Sequence, residues 1–364
     1  MIWLGLQAMI DAPHEEVKGV LKDCGTAGIR VIMITGDNAL TAKAIADKVG
    51  LKSKGVINGE DLDGMDEDQL KKRLDEGVNI FARTTPLHKF NILKVLQRAS
   101  RVAMTGDGVN DALALKEADV GIAMNIKGTE VAKEASDMIL LDDKFTTIVD
   151  SVKEGRKIFD NTRKFVNYLF VCNFAEVAVL FFATLFLTLK EPILLPVQLL
   201  WINLLTDGMP ALALGVDSAR KDIMSEPPRR KNEPIINKRL GWLIGAIGLK
   251  KTLVLFGTFF LAWSFVGIEE AKTTLFTGFI LYEFVRIGSI RYQDKLGWFS
   301  NKWLVFALIG SLLLQLLIVY SPLGSYFGIV PLSLIAWGFL IGGVIVGYIT
   351  AIWITKLVMR YVKG

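Results

Sequence analysis

The run Thr105-Gly106-Asp107-Gly108-Val109-Asn110-Asp111 sets oxygen-bearing side chains on glycine-loosened backbone, after an apolar strand-like segment and before a helix-like one. That spacing suits Mg²⁺ beside a phosphoryl group, because Mg²⁺ takes octahedral oxygen ligands, keeps several waters and needs only one or two carboxylates. Asp107 is the first choice as direct ligand. Asp111 is the second metal-site carboxylate, and Asn110 orients the ligand or the phosphate. A second strand-to-turn unit lies upstream, Val31-Ile32-Met33-Ile34-Thr35-Gly36-Asp37, with Lys89 between the two. Thr35 and the amide of Gly36 can donate to phosphate oxygens, and Lys89 can offset the charge spread over them. A lone Gly-Asp-Gly or Thr-Gly-Asp is ordinarily a surface turn. Two of them at matching strand ends, with a lysine between, favour a site.

The elements that must hold these residues alternate in type. Strand-like runs lie at Trp3–Met9, Arg30–Ile34, Asn79–Ala82, Val102–Met104, Val120–Ala123 and Met138–Leu141. Helical patterns lie at Glu15–Ala27, Ala39–Val49, Pro86–Ala99, Asp111–Glu117 and Thr129–Glu134. Strand alternating with helix predicts an α/β fold with a parallel sheet covered on both faces. Ligands of such sheets sit beyond the carboxyl ends of the strands, where Thr35, Asp37, Asp107, Asn110 and Asp111 all fall.

The 364 residues suit two domains, and the composition changes abruptly along them. Residues 1–150 are mixed and charged, 151–164 form a charged stalk, and 165–364 are dominated by long apolar runs. The net charge of +5 does not point to nucleic acid, since the basic residues concentrate beside the apolar runs, as at a membrane surface. Cys24 and Cys172, one in each half, argue against a disulfide and leave no Cys/His metal cluster. The segment Met1-Ile2-Trp3-Leu4-Gly5-Leu6 lacks the features of a secretory signal and reads as a buried strand.

Met104 to Ala118 (MTGDGVNDALALKEA), Ile34 to Asn38 (ITGDN) and Pro86-Leu87-His88-Lys89 resemble the phosphorylation domain of P-type cation-transporting ATPases, and Gly121-Ile122-Ala123-Met124 and Glu154-Gly155-Arg156 extend the likeness. The resemblance implies a haloacid-dehalogenase-like fold. It also implies that Asp107, Asn110 and Asp111 serve Mg²⁺ and phosphate, and that Thr35, Gly36, Asp37 and Lys89 serve the phosphate. Two departures stand out: Leu113 replaces a proline, and Asp11-Ala12-Pro13-His14 replaces Asp-Pro-Pro-Arg at the hinge. The family's Asp-Lys-Thr-Gly-Thr nucleophile motif is absent, and Asp143-Lys144-Phe145-Thr146-Thr147 is only an echo, without its glycine and after the Mg²⁺ motif. The expectation is therefore the C-terminal part of a pump, inactive alone. The nucleotide domain that binds ATP, the actuator domain and the nucleophile would come from a missing N-terminal half, as a partner chain or in a longer product.

Apolar segments of spanning length run over Phe165–Leu187, Pro196–Leu214, Leu240–Val266, Thr274–Ile290, Trp303–Tyr320 and Leu332–Thr355, predicting an α-helical transmembrane bundle of six spans. The loop from Arg220 to Arg239 holds seven Lys and Arg residues, and Arg291, Lys295, Lys302, Lys356, Arg360 and Lys363 fall on the same side. Only Lys190 and Lys272 fall opposite, which makes the N-terminal domain and C-terminus of this multi-pass cell-membrane protein cytoplasmic. From Thr146 to Leu187 no proline interrupts the pattern, predicting a rod of about 60 Å at about 1.5 Å per residue.

Acidic and amide groups inside spans are costly and functional by default. Asn173 and Glu176 are expected to share a face of the first span. Asn203, Thr206 and Asp207 are expected to share one on the second, just before Gly208 and Pro210 break the helix, and Glu283 stands alone on the fourth. Together they offer oxygens for a hard cation. Asn173-Phe174-Ala175-Glu176 and Asn203-Leu204-Leu205-Thr206-Asp207-Gly208 resemble the ion-site helices of the calcium-pump branch, which implies Ca²⁺ as the cargo. Arg286, one turn beyond Glu283, either pairs with that carboxylate as a built-in countercation or snorkels to the interface. The competing readings are a non-catalytic cation-binding or regulatory membrane subunit and a membrane-tethered phosphatase, the latter disfavoured by the missing aspartate.

Overall fold

In the computed structural model, residues 15–189 and 191–362 are described. The strand expected over Trp3–Met9, the hinge Asp11-Ala12-Pro13-His14, Lys190 and Lys363 lie outside them. Two compact units result: the residues up to Glu154 with Lys221–Glu233, and Gly155–Arg220 with the residues from Pro234 onward.

The first unit opens with α1 (Glu16–Thr26), β1 (Met33–Ile34), α2 (Ala39–Val49), β2 (Val56–Asn58), α3 (Gly59–Asp63), α4 (Glu67–Asp75) and β3 (Ile80–Ala82). It continues through α5 (Pro86–Gln97), β4 (Ala103–Gly106), α6 (Ala112–Glu117), β5 (Val120–Met124), α7 (Glu130–Ala135) and β6 (Met138–Leu140). All described strands pair in parallel, so helices must carry the chain back between them. They form two three-stranded sheets, ordered β1-β3-β2 and β4-β5-β6, where the sequence suggests one. The central β3 reads Ile-Phe-Ala and is buried throughout, packed under Ile57, Leu70, Leu74 and Ile92. β2, α3 and α4 are additions to the sequence-based expectation. Asn58 with Asp61, and Asp66 with Gln69, form the capping boxes that start the two helices.

The 42-residue helix α8 (Phe145–Phe186) includes the boundary between the units. The second unit continues with α9 (Pro196–Trp201), α10 (Gly208–Gly215), α11 (Lys238–Val266), α12 (Ile268–Gln293), α13 (Lys302–Tyr320) and α14 (Leu334–Tyr361). Among the described residues five helices are long and apolar enough to cross a membrane: α8, the combined Pro196–Gly215, α11, α13 and α14. The remaining expected span lies within α12, a 26-residue helix with Glu269, Glu270, Lys272, Glu283, Arg286 and Arg291 along it. Its polarity has a packing reason. From Ala271 to Arg291 every residue but Leu281 and Phe284 is buried, with α11, α13 and α14 against it. A helix walled in by protein can carry groups that lipid would reject.

The break expected at Gly208 and Pro210 takes another form. Pro196–Gly215 stays one helix, widened into a π-helical turn over Ile202–Thr206, where the Asp207 amide donates to the Ile202 carbonyl at 2.8 Å. Pro210 has no N–H for the carbonyl of Thr206, four residues earlier. The buried Ser311 hydroxyl of α13 donates to that carbonyl instead, at 3.3 Å.

Candidate phosphoryl and cation sites

The first site is assembled by the ends of β1 and β4 and the start of α5. The Thr35 amide donates to Phe81 O at 2.9 Å, and Thr35 O accepts from the amide and hydroxyl of Thr84, both at 3.0 Å. Thr84 precedes Thr85, which caps α5 by accepting from the His88 amide at 3.3 Å, with Pro86 in the first turn. His88 Nδ1 accepts from the Thr85 amide at 3.2 Å, which leaves Nε2–H to donate to Asp63 at 2.8 Å. That fixed start to α5 delivers Lys89, whose ammonium donates to Asp111 Oδ1 at 2.5 Å. The other carboxylate oxygen of Asp111 accepts from the amides of Asp107 and Gly108, each at 3.3 Å.

Asp111 is thus buried and fully engaged, so it holds the loop and the lysine in register. Asp107 and Asn110 are exposed at the carboxyl end of β4. Asp107 carries the uncommitted carboxylate, while its carbonyl accepts from the Thr129 amide at 2.8 Å. Gly106 is required by close approach: a Cβ there would lie 2.4 Å from Asp111 Cβ. The Thr35 hydroxyl accepts from the Asp37 amide at 3.1 Å, keeping its own proton available to an anion. Gly36 and Asp37 are exposed beside it. No group of three or more His, Cys, Asp or Glu side chains gathers around a metal position among the described residues. This donor set still fits Mg²⁺, which completes its shell with waters and phosphate oxygens. The echo at Asp143 has a structural task. Its carboxylate accepts from the amides of Asn125, Ile126 and Lys127 at 2.6 to 3.1 Å. Burial alone would raise this carboxyl, but those amides hold it below the usual carboxylate range.

The second site lies inside the helical unit. Glu176 is buried on α8, and its Oε2 accepts from Asn203 Nδ2 at 2.7 Å. Asp207 is buried in the second helix, and its Oδ1 accepts from Tyr168 OH at 3.2 Å. Glu283 is 0 % exposed on α12, within electrostatic reach of Asp207 and Thr206. Glu176 Oε1, Asp207 Oδ2 and both Glu283 oxygens are buried without a hydrogen-bond partner. Buried carboxylate oxygens left unpaired are expensive unless a cation answers them.

Asn173 departs from the expected arrangement: it is exposed and lines an apolar groove of about 590 Å³ with Phe170, Phe174, Val177 and Phe181. Three residues advance a helix by about 300°, enough to put Glu176 inside and Asn173 at the rim. Arg286 follows neither expectation. It is 2 % exposed, so it does not snorkel, and its Nη1 donates to Ser289 Oγ at 2.8 Å, one turn further on, with no ion pair to Glu283. Sequence reasoning missed Tyr168, Ser311 and above all Lys250 and Lys251. Two consecutive lysines in mid-span were the available signal. Lys250 Nζ donates to Gly347 O at 2.9 Å and lies over the Tyr282 ring at 5.2 Å.

Where these helices end, Asp217 gathers Lys164 Nζ at 2.9 Å, Arg291 Nη1 at 2.5 Å and Asn301 Nδ2 at 3.2 Å. Burial alone would raise the Asp217 carboxyl, but Lys164 and Arg291 hold it below its ordinary value. This fully buried carboxylate joins α8, α12 and α13 to the chain just past α10.

The chain thus joins an α/β unit carrying the Lys89–Asp111 pair and the exposed Asp107 to membrane-length helices that bury Glu176, Asp207 and Glu283, the combination expected of membrane proteins that couple phosphate chemistry to cations. Residues 3–119 match the family described as haloacid dehalogenase-like hydrolase, and residues 191–358 match cation transporting ATPase, C-terminus. The chain belongs to the P-type cation-transporting ATPases. It is 40% identical over 348 residues to a calcium-transporting ATPase of Bacillus subtilis (strain 168), covering 93% of this chain and 39% of that protein. It is 40% identical over 354 residues to calcium-transporting ATPase type 2C member 1 of Homo sapiens, covering 94% and 38%. A probable calcium-transporting ATPase of Trypanosoma brucei brucei is 40% identical over 373 residues, covering 92% and 36%. The chain spans about two fifths of the length of the curated relatives it matches.

Proposed function

We propose that this chain supplies the Mg²⁺–phosphate site and most of the membrane cation site of an ATP-driven Ca²⁺ pump. In that role Asp107 holds Mg²⁺, with Asp111 and Asn110 keeping the loop in shape. Mg²⁺ held there would offset the charge on the phosphoryl oxygens and so ease transfer of the phosphoryl group. Thr35 and the Gly36 amide donate to the phosphate, and Asp37 anchors the β1 loop through its carbonyl, which accepts from Arg83 N at 2.8 Å. Lys89 brings a positive charge to the same edge while fixing Asp111. Glu176, Asn203, Thr206, Asp207 and Glu283 hold the transported ion, with Asn173 reached only if α8 turns. The remainder of the pump would supply the aspartyl nucleophile, the nucleotide domain and the actuator. Its expected home is the cell membrane, with the first unit and the C-terminus on the cytoplasmic side.

The observation that carries this reading is the set of four unpartnered carboxylate oxygens buried among membrane-length helices. The test is ATP-driven Ca²⁺ uptake into vesicles by a complete pump containing this chain. Asp207→Asn should reduce uptake at least about a hundredfold, the scale of about 3 kcal/mol lost from one charged ligand. Uptake retained within twofold would refute the reading.

A further inference from the structure

Lys251 of α11 is 2 % exposed in the middle of a membrane-length helix. Its ammonium has three protons to donate, yet its one hydrogen-bond contact is the Cys172 sulfur at 3.5 Å, a weak acceptor. The Phe279 ring lies 5.3 Å away, a second soft partner. A charge placed so deep with so little direct bonding needs compensation from elsewhere. Glu176, Asp207 and Glu283 supply it, since all three interact electrostatically with Lys251. None forms an ion pair with it, and four of their oxygens stay without a partner. Cys172 lies one helical turn before Glu176 on α8, so the sulfur fixes the ammonium beside the carboxylates without consuming their oxygens. Arg286, by contrast, interacts with Cys172, Asp294 and Lys250 and is bonded to Ser289.

We propose that Lys251 is a built-in cation of the membrane ion site, held by Cys172 and Phe279 at a distance that offsets one of the three carboxylates and leaves their oxygens to the transported ion. The inference rests on the reading of Glu176, Asp207 and Glu283 as ion ligands. With all three ionised, the group carries three negative charges and one positive, so a single divalent cation neutralises it. Lys251 sets the affinity of the site from α11, a helix that contributes no ligand oxygen to it.

The test is equilibrium binding of radioactive Ca²⁺ to the purified full chain in lipid nanodiscs, with folding followed by circular dichroism and gel filtration. Lys251→Met should bind Ca²⁺ at least about tenfold more tightly, because one unit charge a few ångströms away contributes on that scale even when well screened. Lys251→Arg, which keeps the charge, should stay within about threefold of the unaltered chain, a distinction that a merely structural lysine would not make. If Lys251→Met does not fold, Lys251→Gln makes the same comparison. Glu176→Gln/Asp207→Asn is the control for the ligands. Unchanged or weaker binding in Lys251→Met, while that control still abolishes binding, overturns the role of Lys251 and leaves the ligand assignment standing. Unchanged binding in the control overturns the ligand assignment and this inference with it. Binding undetectable in both the unaltered chain and Lys251→Met also overturns the inference.

Discussion

Lys89 and Asp111 are joined at 2.5 Å, and the second oxygen of the same carboxylate gathers the amides of Asp107 and Gly108. The residue pair therefore does two jobs, fixing the loop that presents Asp107 and tying α5 to the turn that follows β4. Asp111→Ala should cost about 2–3 kcal/mol of stability in the first unit, the scale of a lost charge-assisted hydrogen bond with its partner stranded. Thermal unfolding read by a probe in that unit checks this. Asp107→Asn should leave stability within about 0.5 kcal/mol while weakening Mg²⁺ binding, since an exposed uncommitted carboxylate carries no packing.

Gly106→Ala should be more damaging than its size suggests. The added carbon would lie 2.4 Å from Asp111 Cβ, so either the carboxylate or the β4 end must move. Overpacking of this kind costs about 1–3 kcal/mol. The amide resonances of Asp107 and Gly108 should shift together, and an unchanged spectrum would contradict the geometry.

Asp217 makes stability pH-dependent. Its folded-state carboxyl lies below the ordinary value because of Lys164 and Arg291. A depressed carboxyl contributes fully above its unfolded value of about 3.9 and loses that contribution as pH falls through the folded value. The midpoint of thermal unfolding in detergent should therefore fall more steeply below about pH 4 in the unaltered chain than in Asp217→Asn. That variant should be less stable by about 3 kcal/mol at neutral pH, because it strands two buried cations.

Ser311→Ala should leave the Thr206 carbonyl without the donor that replaces the missing Pro210 amide, at a cost of about 1–2 kcal/mol. Pairing it with Pro210→Ala should recover most of the loss, since the restored amide can satisfy that carbonyl. A double variant no better than the single one would show that the π-helical turn is held by other contacts.

Much of the first unit was legible in the sequence because its signals are local. Asn38 capping α2, Gly50 ending it in a left-handed conformation, and Thr85-Pro86 opening α5 mark the ends of elements by chemistry. The stretch from Val56 to Asp75 was overlooked, because its short strand is followed by mostly charged helices whose core contacts are Leu62, Leu70 and Leu74. In the helical unit, the sequence singled out Glu176, Asp207 and Glu283, which the structure buries, whereas Asn173 lies exposed and Arg286 neither pairs with Glu283 nor reaches the surface. Residues three apart diverge by about 60° around a helix, and only packing against neighbours decides which of the two turns inward. Lys250 and Lys251 were lost in the average apolarity of their span. Their meaning depends on Cys172 and Gly347, 79 and 97 residues away.

The ion site itself is tested most directly by anomalous diffraction from crystals of the chain soaked in Ca²⁺. A peak at about 2.3–2.6 Å from oxygens of Glu176, Asp207 and Asn203, with Glu283 beside it, is the predicted result. At saturating Ca²⁺, density confined to Asp107, with none among the buried carboxylates, would contradict it.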